Sequence, residues 1–177
     1  MHISLIGVPM YLGADRVGVD LGPTAIRYAG IEEKLRKLRL KVDSFETVPV
    51  PAPAAPADEH DPAKYLAEIT TAANALAEKV ERAVRAKTLP MILGGDHSIA
   101  LGSVSGAAKA VGSVGVIWVD AHGDFNTVET TPSGHIHGMI LAALCGMDAS
   151  AQGGQSVLMN VAGGGPHLNP ERVVIVG

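Results

Sequence analysis

Apolar positions follow two rhythms along the chain. Residues 2–8, 40–48, 89–93, 114–119 and 172–176 are short aliphatic and β-branched runs that predict strands, and the stretches between them repeat apolar residues at helical intervals. This alternation predicts an α/β fold of three layers, α/β/α, with helices on both faces of a parallel sheet. The run Gly115-Val116-Ile117-Trp118-Val119 is apolar at consecutive positions and predicts a central strand covered on both faces. Gly22-Pro23-Thr24 opens a helix carrying Ile26, Ile31, Leu35 and Leu38. It ends in Lys34, Arg36, Lys37 and Arg39, where basic charge suits the negative end of the helix dipole and reads as a solvated face.

A longer helix is predicted over 63–87, with Leu66, Ile69, Ala73, Leu76, Val80 and Val84 in one stripe opposite Glu68, Glu78, Glu81 and Arg85. Pro49, Pro51, Pro53, Pro56 and Pro62 mark a surface loop before it. Residues 146–170, with Gly153-Gly154 and Gly163-Gly164-Gly165, predict a second, functionally shaped loop. The glycine triplet precedes a strand instead of opening a helix, so it lacks the context of a phosphate-binding turn.

Composition narrows the class. The 177 residues are 47% hydrophobic, enough for one domain spanning 1–177. With 14 Lys and Arg against 18 Asp and Glu, the net charge of −4 argues against nucleic acid as a partner. The single cysteine, Cys145, excludes an internal disulfide or a Cys-rich zinc module and suits a reducing compartment. The first residues have no basic leader, and no apolar run approaches the roughly 18 residues of a membrane span. The expectation is a cytoplasmic protein with no membrane partner.

Two segments carry metal-competent side chains just past apolar strands: Gly94-Gly95-Asp96-His97-Ser98 and Asp120-Ala121-His122-Gly123-Asp124-Phe125-Asn126. Sites in α/β sheets form at the carboxyl ends of strands, where both segments fall. In an extended chain Asp120 and Asp124 would lie ~13 Å apart, so convergence requires a curl, for which Gly123 is the candidate. Imidazole with carboxylates and no thiolate suits Mn²⁺, Fe²⁺ or Zn²⁺, and the carboxylate weighting favours Mn²⁺. Asp96 reads as an N-cap on a helix beginning near Ser98. Downstream, His135 and His137 sit at i and i+2 in Thr130-Thr131-Pro132-Ser133-Gly134-His135-Ile136-His137, and one of them could carry protons near a metal. His2, His60 and His167 lie outside any such cluster.

These segments resemble the arginase and agmatinase family of manganese ureohydrolases. The likeness runs through GVPM, GVDLGP, GGDHSIALG, VIWVDAHGDFNT and SGHIHGM in the family's order and spacing, and GVPM with GVDLGPTAIRYAG looks more like arginase than agmatinase. The resemblance implies that His97, Asp120, His122 and Asp124 coordinate two Mn²⁺ ions, with Asp120 bridging. It assigns proton transfer to His137, and binding of the substrate's α-carboxylate end to Asn126, Thr131 and Ser133. The implied reaction is attack of a metal-bridging hydroxide on the guanidinium carbon of arginine, giving ornithine and urea. A small guanidino substrate is the implied partner, and assembly with further copies of the chain is compatible with the family.

Three positions depart from the pattern: Tyr11 replaces a common Asp, His135 replaces the usual Asn near the substrate's head group, and Ile140 replaces a frequent Pro. The family's later S-x-D-x-D segment, with two aspartate ligands, is missing. Two divalent ions carry four positive charges against two from Asp120 and Asp124, so one weakly held ion is the expectation. The sequence predicts an incomplete ureohydrolase domain ending on its fifth strand, with an apolar edge prone to aggregation. Agmatinase or another ureohydrolase is the enzyme alternative. A catalytically inert remnant that binds one metal or pairs with a full-length paralogue is the other.

Overall fold

β1 (His2–Val8) is the strand around which the chain is organised. Ile3 and Leu5 point to one face, where they meet Leu35, while Ile6 and Val8 point to the other and enter the main core. Alternating side chains of one strand thus bury both faces of the sheet, as a layered parallel arrangement requires. The computed structural model describes residues 1–147, 157–164 and 167–177.

After β1 the chain forms α1 (Gly22–Tyr28) and α2 (Ile31–Lys37), then the short strands β2 (Lys41–Val42) and β3 (Glu46–Thr47). The helix predicted across this region breaks at Gly30, whose φ of 79° starts α2 afresh. The strand predicted over 40–48 is likewise two pieces, both parallel to β1. α3 (Leu66–Arg85) follows the proline-rich stretch and buries Ile69, Ala73, Leu76 and Val80 as the stripe predicts. β4 (Leu89–Gly94) pairs along the whole length of β1, and α4 (Ile99–Val111) returns across α3. Glycine permits that crossing: a Cβ at Gly102 would lie 2.4 Å from the Ala73 carbonyl oxygen, and one at Gly106 would lie 2.3 Å from that of Ala77.

The second half contributes β5 (Val116–Val119), α5 (Ile140–Leu144) and β6 (Val173–Val176). All pairings are parallel, so the α/β class is as predicted, but the strands form two sheets. Among the described residues one holds β1 to β4, and the other holds β5 and β6 alone. The central strand is therefore β1, not the run at 114–119. In β5 only Trp118 is buried, while Ile117 and Val119 are 75% and 76% exposed because no element among the described residues covers that face. Gly153, Gly154 and Gly165 lie outside the described residues, and Gly163 and Gly164 both take positive φ.

Candidate metal centre

Three side chains from two loops converge at the carboxyl ends of β4 and β5. His97 stands on the turn between β4 and α4, and its Nδ1 lies 2.8 Å from Asp120 Oδ2 and 3.0 Å from Asp124 Oδ2. Asp120 follows β5 directly, and its N–H donates to the Val176 carbonyl at 3.0 Å, so pairing with β6 fixes where the acidic loop departs. The loop then curls as convergence demands. Its left-handed residue is Asp124 itself, at φ 47°, whereas Gly123 takes no positive φ. Aspartate tolerates that region better than most residues, so the curl does not need the glycine.

Trp118, two residues before Asp120, presents its ring to the same side. It stacks on the His97 imidazole with 4.4 Å between ring centres and 25° between planes. Sequence reasoning did not single it out, although even spacing from Asp120 places it on the same face. His122, the fourth expected ligand, does not join the group. Its side chain is 82% exposed, and Nδ1 contacts Asp120 Oδ1 at 3.0 Å.

The electrostatics are those of an acidic pocket facing one imidazole. Contact with Asp124 is the main influence holding the His97 pKa above the ordinary imidazole value; both carboxylate charges assist, and burial partly opposes them. Asp120 is held low, chiefly by the N–H of His122. One ring N–H cannot align with both carboxylates, and the buried Asp124 Oδ2 has no hydrogen-bond partner among the described residues. Two carboxylates and an imidazole with ligand atoms this close together form a donor set that can hold a divalent cation.

Backbone bonds bring the histidine loop alongside. Leu141 N–H donates to the Asp124 carbonyl at 2.9 Å and Asn126 N–H to that of Gly138 at 3.1 Å. His135 and His137 are half-buried with ring centres 6.0 Å apart. Burial foremost, then the charges of Lys64 and His137, lowers the His135 pKa. Lys64 was not anticipated, because it reaches this loop from a segment remote in sequence: its N–H donates to the Gly134 carbonyl at 3.1 Å. Asn126 and Ser133 are exposed and Thr131 half-buried. Thr131 Oγ1 accepts from Gly134 N at 3.1 Å, and Ser133 Oγ from His135 N at 3.2 Å. Asp96 accepts from Ser98 instead of capping α4, which begins at Ile99.

The arginase family profile matches residues 1–177. The chain belongs to the arginase family. It is 45% identical over 175 residues to arginase of Bacillus subtilis (strain 168), covering 99% of this chain and 56% of that protein. With arginase of Brevibacillus brevis it shares 47% over 180 residues, covering 99% and 57%. The native structure of arginase from Bacillus caldovelox superposes with a TM-score of 0.87 at 44% identity, covering 98% of this chain and 56% of that one. The chain therefore spans a little over half the length of these arginases.

Proposed function

We propose that His97, Asp120 and Asp124 hold one Mn²⁺ ion, and that this centre serves hydrolysis of the guanidinium group of L-arginine to L-ornithine and urea. The observation that carries the reading is the buried Asp124 Oδ2 without a hydrogen-bond partner among the described residues, facing His97 across 3.0 Å. Two carboxylates and an imidazole without a thiolate favour Mn²⁺ over softer ions, and their two negative charges balance a single dication. When bound, the ion supplies Lewis acidity and a nucleophilic water near neutral pH.

The remaining steps fall to the chain's own side chains. Contact with Asp124 and Asp120 favours the protonated form of His97, and a proton on that ring would compete with a bound cation. His137 carries a proton at its imidazole and delivers it to the departing amine. Asn126, Thr131 and Ser133 offer amide and hydroxyl donors to the carboxylate end of the substrate. His135, whose pKa is lowered chiefly by burial, provides a hydrogen-bonding ring beside that end. The setting in this reading is the cytoplasm, where the buried thiol of Cys145 stays reduced.

A second reading, metal binding without turnover, has one observation in its favour: the described cluster contains only two carboxylates, too few for a pair of dications. Titration calorimetry with Mn²⁺, followed by urea assays on arginine and agmatine, separates the readings. One ion bound and urea from arginine is the expected result. Binding without urea leaves the second reading, urea from agmatine alone replaces the substrate, and no binding removes the centre.

A further inference from the structure

Asp96 neighbours His97 in sequence, but it is not part of the cation group and the residue is only 8% exposed. Oδ1 accepts from the N–H of Ser98 at 2.9 Å and from its hydroxyl at 2.5 Å. Oδ2 crosses to another segment and accepts from the N–H of Ala14 at 3.2 Å. The opposite end of that same peptide group, the Gly13 carbonyl, accepts from the N–H of His137 at 3.1 Å. A trans peptide directs its N–H and C=O in opposite directions, so the Gly13–Ala14 unit lies between the carboxylate on one side and His137 on the other.

Two further contacts hold this peptide in place. Asp96 N–H donates to the Met10 carbonyl at 2.9 Å, fastening the start of the same loop. A Cβ on Gly13 would lie 2.6 Å from Asp96 Oδ1 and equally close to Ser98, so only glycine lets the loop approach this closely.

We propose that Asp96 is a positioning residue for His137, acting through the Gly13–Ala14 peptide that it grips and on which the His137 backbone hangs. One turn after β4 would then set both His97 and, by its neighbour, the histidine of the facing loop. A carboxylate polarises the peptide it binds, strengthening acceptance at the far carbonyl. The proposal rests on the reading of His137 as proton carrier for its catalytic meaning, but not for its geometry.

The test is residue-resolved amide hydrogen exchange on the full chain, with Mn²⁺ calorimetry in parallel. In Asp96→Ala the amides of Ala14 and His137 should exchange about fivefold to tenfold faster, the change produced by losing one hydrogen bond, while the amides of α3 hold their protection. Asp96→Asn keeps an acceptor oxygen and should fall between. Gly13→Ala leaves Asp96 intact but displaces the peptide and should reproduce the His137 signature with Mn²⁺ stoichiometry unchanged. Unchanged His137 exchange in Asp96→Asn and Gly13→Ala overturns the proposal, as does equal loss across α3, which marks a residue of general stability. Full turnover in His137→Ala would remove the proton carrier yet leave these exchange results standing, so the two failures are distinguishable.

Discussion

At the scale of single residues, the site works by leaving one oxygen unmet. Asp124 Oδ2 is buried beside an imidazole that Asp120 also approaches, and a cation resolves what a proton only half resolves. Asp124→Asn should weaken Mn²⁺ binding by at least the 10–100-fold typical of losing an outer-shell partner, measured by calorimetry, because it removes a direct ligand charge. His122→Ala should cost less, since that ring is exposed and touches only Asp120. The pH response follows from His135, whose pKa is lowered from 6.5. Between the two values the unfolded chain binds the extra proton, so this residue's contribution is complete above the unfolded value and is lost as pH falls below it. His97 acts oppositely, its contribution being lost as pH rises through its elevated value. His135→Asn should therefore raise the melting temperature at about pH 5.5 relative to that at about pH 7.5, compared with the parent protein. His97, Asp120 and Asp124 were legible because each follows a strand-like run. The Asp96–Ala14 link was not, because it joins segments 82 positions apart.

At the scale of elements, the apolar rhythm located β1, β4, β5, β6 and α3, but not α5 or the interruptions elsewhere. The helix expected from Gly22 to Arg39 breaks at Gly30, and the strand over 40–48 divides around Asp43, where a polar cluster takes over: Asp43 binds His2 at 2.6 Å and Ser4 at 2.9 Å. Period alone does not encode such side-chain competition. Nor does it encode the approach of α4 to α3, which depends on Gly102 and Gly106 lying against backbone. Gly106→Ala adds a methyl group where 2.3 Å is available and should cost about 1–3 kcal/mol of overpacking, read as a lower midpoint in urea at unchanged m-value.

At the scale of the whole molecule, the missing information was strand order. Consecutive apolar residues in β5 suggested burial on both faces, whereas among the described residues the strand pairs only with β6 and leaves Ile117 and Val119 in solvent. Exposed hydrophobic side chains grouped on one strand promote association. Ile117→Lys should lower the scattering of concentrated solutions and shift gel-filtration profiles toward monomer while sparing Mn²⁺ affinity, since its neighbour Trp118, and not Ile117, faces His97. Unaltered association would place the adhesive surface elsewhere. The stacking partner of His97 is also the only tryptophan in the chain. Ultraviolet emission from this protein thus comes chiefly from an indole stacked on the His97 imidazole. Addition of Mn²⁺ to the native molecule should therefore change that emission, which fluorometry reads without any label.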